Sequence, residues 1–141
     1  MFKGNALVIG ASGGIAKTLL IKLHESGDYE HVYAVSRSLP ISPIEGVKYH
    51  TLDSENEGLV AQYCQQLKQE GGQFSLVVCC IGALHNSGAD HQKIMPEKRL
   101  EDIQQKQLSF YFTINAILPA IWLKHVEPLL KGSEPSKLVF F

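Results

Sequence analysis

A glycine-rich turn follows the first apolar run of the chain. It contains Gly10, Ser12, Gly13, Gly14 and Ile15, and a segment with amphipathic helical spacing comes directly after it. In a strand–turn–helix unit of this kind, backbone N–H groups and the helix N-terminus bind phosphate, and glycines let a pyrophosphate approach the main chain. We therefore predict that these five residues bind the diphosphate of a dinucleotide.

The neighbouring Lys17-Thr18 pair raises a second interpretation, a P-loop for a triphosphate. That motif requires GxxxxGK followed by Ser or Thr. Alanines, Ala11 and Ala16, occupy its glycine positions here, so the wide loop of a P-loop is not expected. A plain glycine-rich hairpin is disfavoured as well, because an amphipathic helix follows.

Basic and hydroxyl side chains follow the second apolar run. Ser36, Arg37 and Ser38 stand about 20 residues beyond the turn, where an NAD-binding fold places an acid on the ribose 2′-hydroxyl. An arginine at this point favours a 2′-phosphate instead. We predict that the three residues bind NADP(H), with NAD(H) less favoured, although a surface arginine at a strand end is the simpler alternative.

Two further residues stand at strand ends. Asp53 follows the third apolar run, where it either accepts a hydrogen bond from adenine or caps the next helix. Gly82 follows the fourth, where the missing side chain either lets a ribose pack on the backbone or serves an ordinary turn. Both are candidate cofactor-binding residues.

Asn115 lies within an apolar helical segment, where asparagine is disfavoured and a buried amide needs partners. Pro119 stands four residues later and removes the N–H that would bond to the Asn115 carbonyl. We predict a kink there and a functional role for Asn115.

These residues must be positioned by alternating strands and helices. Apolar runs suited to buried strands span residues 6–9, 31–36, 47–52, 75–81 and 138–141, and helical segments span 14–26, 56–70 and 96–131. This alternation predicts an α/β fold, a Rossmann-type doubly wound parallel sheet of order 3-2-1-4-5. Residues 10–16 would then lie on one side of the crevice between the first and fourth strands, and residues 79–82 on the other.

Composition limits the other possibilities. With 141 residues, 45% of them hydrophobic, the chain is expected to form a single NAD(P)-binding domain over residues 1–141. The net charge of −1 and the scattered basic residues predict no nucleic-acid and no membrane partner. The first residues lack signal-peptide features, so we expect a cytoplasmic protein. Three cysteines without CxxC spacing and six histidines without an HxxxH pair predict reduced thiols and no metal.

With these residues assembled, the chain resembles the N-terminal part of a short-chain dehydrogenase/reductase, in the subgroup of the C-factor cell-signalling protein. Gly10, Gly14 and Ala16 fill the GxxxGxG pattern of that family. The resemblance implies an NADP(H)-dependent oxidoreductase with a small carbonyl or alcohol substrate. It also implies that Asn115 belongs to a catalytic set with a Ser, a Tyr and a Lys. The other specific segments are Ser36-Arg37-Ser38, Leu52-Asp53, residues 96–100 and Asn115 with Pro119.

The chain departs from the family at two points. Cys79-Cys80-Ile81-Gly82 replaces the NNAG segment that follows the fourth strand, and no tyrosine has a lysine four residues later. The family's catalytic Ser and YxxxK come after its fifth strand, so we expect a fold truncated there and no turnover by these 141 residues. A non-catalytic dinucleotide-binding signalling or sensor module is the alternative.

Exposed apolar surface is expected at two places in the chain. The final residues, 137–141, predict an edge strand with one side unpaired. A helical stripe is also expected to be open, formed by Phe110, Phe112, Ile117, Ile121 and Trp122. We predict self-association through the helix or the edge.

Overall fold

Strands and helices alternate along the chain in the computed structural model, which describes residues 3–70, 72–83, 97–130, 132 and 135–141. The elements of this part of the chain are β1 (Asn5–Ile9), α1 (Gly14–Ser26), β2 (Val32–Ser36), β3 (Lys48–Thr51), α2 (Glu57–Gln69), β4 (Phe74–Cys79), a 3-10 turn (Leu100–Asp102), α3 (Gln105–Phe112), a π-helical turn (Thr113–Ile117), α4 (Leu118–Leu130) and β5 (Lys137–Phe140).

The strands form one parallel sheet in the order β3-β2-β1-β4-β5. β1 lies at its centre, where Leu7 pairs with Tyr33 of β2 and Val77 of β4. The predicted α/β class and strand order are confirmed. Because all neighbouring pairs are parallel, the carboxyl ends of the strands lie along one edge of the sheet.

Alternation along β1 explains why helices cover both faces. Leu7 and Ile9 point to one face, and Ala6 and Val8 point to the other. α1 covers the Ala6 face through two small or aliphatic residues, and α2 and α4 cover the Leu7 face. The buried helical residues are Ala16 and Leu20 of α1, Val60, Tyr63, Cys64 and Leu67 of α2, and Trp122, Val126 and Leu129 of α4.

The first two helices have the predicted extents. α1 spans Gly14–Ser26, and Gly27 ends it in the left-handed conformation with φ of 68°. α2 is one residue shorter at each end than the predicted 56–70. Asn56 is its N-cap and accepts a hydrogen bond from the backbone N–H of Leu59.

The predicted helix over residues 96–131 is wrong at its start. Pro96 and Lys131 lie outside the described residues, and continuous helix begins only at Gln105. A separate 3-10 turn precedes it, because the Asp102 carboxylate accepts hydrogen bonds from both the backbone and the guanidinium of Arg99. That closed turn leaves Ile103 in an extended conformation, which interrupts the helix.

The stripe predicted to be open is only partly so. Phe112 and Ile117 are 64% and 52% exposed, and Phe110 and Ile121 are half-buried. Trp122 is fully buried beneath α2, so the prediction is wrong for this residue. On a helix of this length, residues 121 and 122 face different sides, and periodicity alone does not tell which side carries the core.

Candidate functional site

A cavity of about 490 Å³ lies at the carboxyl ends of the strands, beside the start of α1. Its wall is built by the four segments that follow β1 to β4 and by the α3–α4 helix. It contains seven of the predicted site residues. The lining residues are Gly10, Ser12, Gly13, Val35, Ser36, Arg37, Asp53, Ser54, Glu55, Cys80, Ile81, Gly82, Ala83, Phe110, Ile114 and Leu118.

Gly10 makes the tight exit from β1. Its φ is +77°, and a Cβ built there would lie 3.0 Å from backbone atoms of Cys80 and Ile81. The N–H groups of Gly10 and Ala11 both donate to the carbonyl of Val35, at 2.9 Å. Only glycine therefore allows β1 to turn this close to the end of β4.

Gly13 leaves open space where the diphosphate is predicted. It is the N-cap of α1, no side chain caps the helix there, and a Cβ on Gly13 would meet nothing within 4 Å. The first N–H groups of a helix have no intrahelical partner, and the helix dipole favours negative charge beside them. Gly14 and the exposed Ile15 do not line the cavity, so the turn meets it through its earlier residues.

Arg37 presents its guanidinium at the mouth of the cavity. The side chain is exposed, and no other described residue forms an ion pair with it. Ser36 is buried, and its hydroxyl donates to the carbonyl of Ser38 at 2.6 Å, which shapes the turn after β2. Ser38 does not line the cavity. An arginine beside open space has its bidentate donors available for an anion.

Asp53 lies beside Arg37 on the same wall. Its Oδ1 accepts a hydrogen bond from the N–H of Glu55 at 3.0 Å, which leaves its other lone pairs available. Asn56, not Asp53, caps α2, so the capping alternative for Asp53 is wrong. Five residues, 52–56, lie between β3 and α2, so Asp53 stands too far before the helix to cap it.

Asn115 holds the end of β4 from the π-helical turn. Its Nδ2 donates to the carbonyl of Ala83, and its Oδ1 accepts from the N–H of Ala83, both at 2.8 Å. A Cβ on Gly82 would lie 3.2 Å from Oδ1, so glycine leaves room for this pair. The amide was expected to be buried, and it is exposed. Asn115 does not itself line the cavity, whereas Gly82 and Ala83 do.

The π-helical turn lies where a kink was predicted from Pro119. The N–H of Leu118 donates to the carbonyl of Thr113, five residues back, so the helix is widened just before the proline. Such turns often occur at functional sites. The widening sets the angle at which Asn115 reaches Ala83.

The remaining lining residues were missed by sequence reasoning. Phe110, Ile114 and Leu118 form an apolar wall beside Gly82, and their i, i+4, i+8 spacing was a usable signal. The others are sequence neighbours of Ser36, Asp53 and Gly82, and the rule that strand ends face the crevice points to them. They are Val35, Ser54, Glu55, Cys80, Ile81 and Ala83.

Burial sets the chemistry of the thiol in this wall. Cys80 is half-buried at the end of β4, and burial raises the pKa of its thiol. The group therefore stays protonated at neutral pH and acts as a small, weakly polar surface, not as a nucleophile.

Solved structures of other proteins share the fold of this chain. Aldohexose dehydrogenase from Thermoplasma acidophilum is 18% identical, with a TM-score of 0.77 over 98% of this chain and 48% of that one. A short-chain dehydrogenase from Leptospira borgpetersenii, with bound NAD+, is 14% identical with a TM-score of 0.70 over 90% and 46%. The chain has their Rossmann-type fold. ElxO with NADP bound shares it, at 18% identity and a TM-score of 0.76 over 99% and 55%.

The chain thus spans about half the length of these short-chain dehydrogenase structures. No protein-family model matches it, and no match is found among curated proteins. Within the described ranges, no helix is long and apolar enough to cross a membrane, and no group of three or more His, Cys, Asp or Glu is placed to hold a metal ion.

Proposed function

We propose that this chain binds a nicotinamide dinucleotide and forms the cofactor-binding part of an oxidoreductase of the short-chain dehydrogenase/reductase type. The observation that carries the proposal is the cavity itself. It brings together the open turn at Gly10 and Gly13, the guanidinium of Arg37, the carboxylate of Asp53 and the backbone at Gly82. These groups come from four separate strand ends, and they are the kinds of group that bind a dinucleotide in such a fold.

The strand order supports one arrangement of the cofactor along the cavity. Neighbouring strands are about 4.8 Å apart, so the ends of β3 and β4 are separated by about 14 Å with β2 and β1 between them. The adenosine half would lie against Arg37 and Asp53, the diphosphate against the Gly10–Gly13 turn, and the nicotinamide half against Gly82 and the apolar wall. The fold's other members, which hold NADP in one case and NAD+ in another, support the cofactor class.

Arg37 favours NADP(H) over NAD(H). It is a cation without an ion-pair partner among the described residues, at the point where the adenosine ribose would lie. Ser36 contributes by shaping the turn that presents it. A guanidinium binds a phosphate bidentately, so the 2′-phosphate gains a charge-assisted pair that a 2′-hydroxyl lacks.

The bound nicotinamide supplies hydride transfer to or from a carbonyl or alcohol substrate. The part that this chain contributes is binding and orientation, and Asn115 contributes by fixing Ala83 beside the nicotinamide half. Proton transfer needs a donor near the reacting oxygen. Because the printed sequence contains no YxxxK, a polypeptide of these 141 residues is expected to bind the cofactor without turnover.

Calorimetry tests the proposal. NADPH is expected to bind more tightly than NADH, and Arg37→Ala is expected to lose about 10- to 100-fold in NADPH affinity, as for a hydrogen bond to a charged group of about 1.5 to 3 kcal/mol. NADH affinity should change little. Arg99→Ala is the matched control, since Arg99 pairs with Glu101 and Asp102 outside the cavity.

Two results would count against the proposal. Absence of binding to either dinucleotide would remove the cofactor assignment, and equal loss of NADPH and NADH affinity in Arg37→Ala would remove the 2′-phosphate assignment. Rapid NADPH oxidation by the 141-residue polypeptide with a carbonyl compound would contradict the expected lack of turnover.

We also propose that the protein is cytoplasmic and self-associates through exposed apolar side chains of the α3–α4 helix, Phe112 and Ile117. Exposed apolar patches are typical of protein interfaces. Sedimentation at micromolar concentration is expected to show an oligomer that Phe112→Glu dissociates. A wild-type chain that sediments only as a compact monomer would contradict this.

A further inference from the structure

The single tryptophan of the chain makes a polar contact from within the core. Trp122 of α4 is fully buried, and its indole Nε1–H donates to the hydroxyl of Ser54 at 2.9 Å. A buried indole usually finds such a partner, because an unpaired N–H in the interior is costly. The partner here is a residue that lines the cavity.

Ser54 belongs to the loop between β3 and α2. Its two neighbours, Asp53 and Glu55, line the cavity as well, and Asp53 accepts a hydrogen bond from the N–H of Glu55. Two bonds close the loop on itself, since the Asp53 carbonyl also accepts a hydrogen bond from the N–H of Asn56 at 3.0 Å, and the bond from Trp122 attaches the loop to α4. The position of the Asp53 carboxylate therefore depends on a side chain that does not line the cavity.

The same helix also holds the residues that come next. Lys124 and His125 of α4 contact the Glu57 carboxylate, at 3.0 and 3.1 Å, in the first turn of α2. α4 therefore contacts the loop at Ser54 and the first turn of α2 at Glu57. These exposed pairs add little energy on their own, whereas the Trp122 bond is partly buried.

We propose that Trp122 is a positioning residue for the adenosine half of the dinucleotide site, acting through Ser54 on the loop that carries Asp53. The inference rests on the proposed function. Without the indole bond, Ser54 loses its attachment to α4, the loop depends on its own hydrogen bonds, and the Asp53 carboxylate no longer meets the adenine with a fixed geometry. In the simpler alternative, the bond only gives the buried indole N–H a partner. Removing the bond would then lower stability and leave ligand affinity unaltered.

Four variants separate these roles, with 2′,5′-ADP as the probe of the adenosine half. Trp122→Phe removes the donor and keeps an aromatic ring, Ser54→Ala removes the acceptor, and Ser54→Thr keeps it. Val126→Ala is the matched control. Val126 is fully buried one turn further along α4, and its side chain has no group that could form a hydrogen bond to the loop. Thermal unfolding of each variant records its loss of stability.

The expected losses follow from one hydrogen bond. Trp122→Phe and Ser54→Ala are expected to bind 2′,5′-ADP about three- to tenfold more weakly. Ser54→Thr and Val126→Ala should bind it like the wild type, although Val126→Ala unfolds at a lower temperature. As the only tryptophan, Trp122 should also report the event: 2′,5′-ADP is expected to change its emission in the wild type and to change it less in Ser54→Ala.

Three results would overturn the inference. Trp122→Phe with wild-type affinity shows that the indole does not position the loop, even if Ser54→Ala is weakened by direct loss of a contact. Val126→Ala weakened as much as Trp122→Phe shows that lost stability explains the effect. Wild-type protein that does not bind 2′,5′-ADP contradicts the proposed function first, and the inference falls with it.

Discussion

Two glycines of the same turn should respond to alanine in opposite ways. Gly10 has a φ of +77° and backbone atoms of Cys80 and Ile81 3.0 Å from the position of a Cβ. Gly13 has φ of −80° and ψ of 163°, an extended conformation that any residue adopts, with no atom within 4 Å of a Cβ. Gly10→Ala therefore tests packing, and Gly13→Ala tests binding.

The structure sets the size of each effect. A non-glycine residue in the left-handed region costs roughly 1–2 kcal/mol, and displacing the backbone at Cys80 adds about 1 kcal/mol as overpacking. Gly10→Ala should thus lose about 2–3 kcal/mol of unfolding free energy, which lowers the Tm by about 6–12 °C for a chain of this size. Gly13→Ala should stay within about 0.5 kcal/mol of the wild type.

Gly13→Ala should change NADPH affinity much more than it changes stability. Its methyl group would stand on the cavity wall where the diphosphate is proposed, so Gly13→Ala should lose at least about tenfold in NADPH affinity, or about 1.4 kcal/mol. Thermal unfolding and NADPH calorimetry on the same samples measure both quantities. A Tm for Gly10→Ala within 2 °C of the wild type, or wild-type NADPH affinity in Gly13→Ala, would refute the reasoning for that glycine.

Two further predictions concern titratable groups. Hydrogen bonds from Lys124 and His125 lower the pKa of Glu57, so the stabilisation is present above the ordinary carboxyl pKa and is lost as the pH falls through the lowered one. The Tm of the wild type should exceed that of Glu57→Gln at pH 6–7, and the gap should close below about pH 4; a gap that does not change with pH contradicts this. Burial raises the pKa of all three thiols, and only Cys80 lines the cavity. Iodoacetamide at pH 8 should label the native protein slowly and at Cys80 first, and NADPH should slow that labelling; mass spectrometry that finds another site first, or no protection, contradicts it.

The sequence alone was enough for the sheet and for seven of the residues that line the cavity at its strand ends. Strands buried on both faces appear as continuous apolar runs, and glycine, asparagine and proline mark where elements begin and end. These signals are local, which is why α1 and the order β3-β2-β1-β4-β5 were predicted correctly. The meeting of Gly10, Arg37 and Asp53 at one cavity followed from the parallel order.

Contacts between distant segments were decided only by the tertiary structure. The bond from Trp122 to Ser54 joins residues 68 positions apart, and the amide of Asn115 reaches Ala83 across 32. Neither leaves a periodic signal, because which side of the α3–α4 helix is buried depends on how it packs on α2 and on the widened π-helical turn. Sequence periodicity describes a single element, whereas the site depends on the distances and angles between elements, and packing sets those.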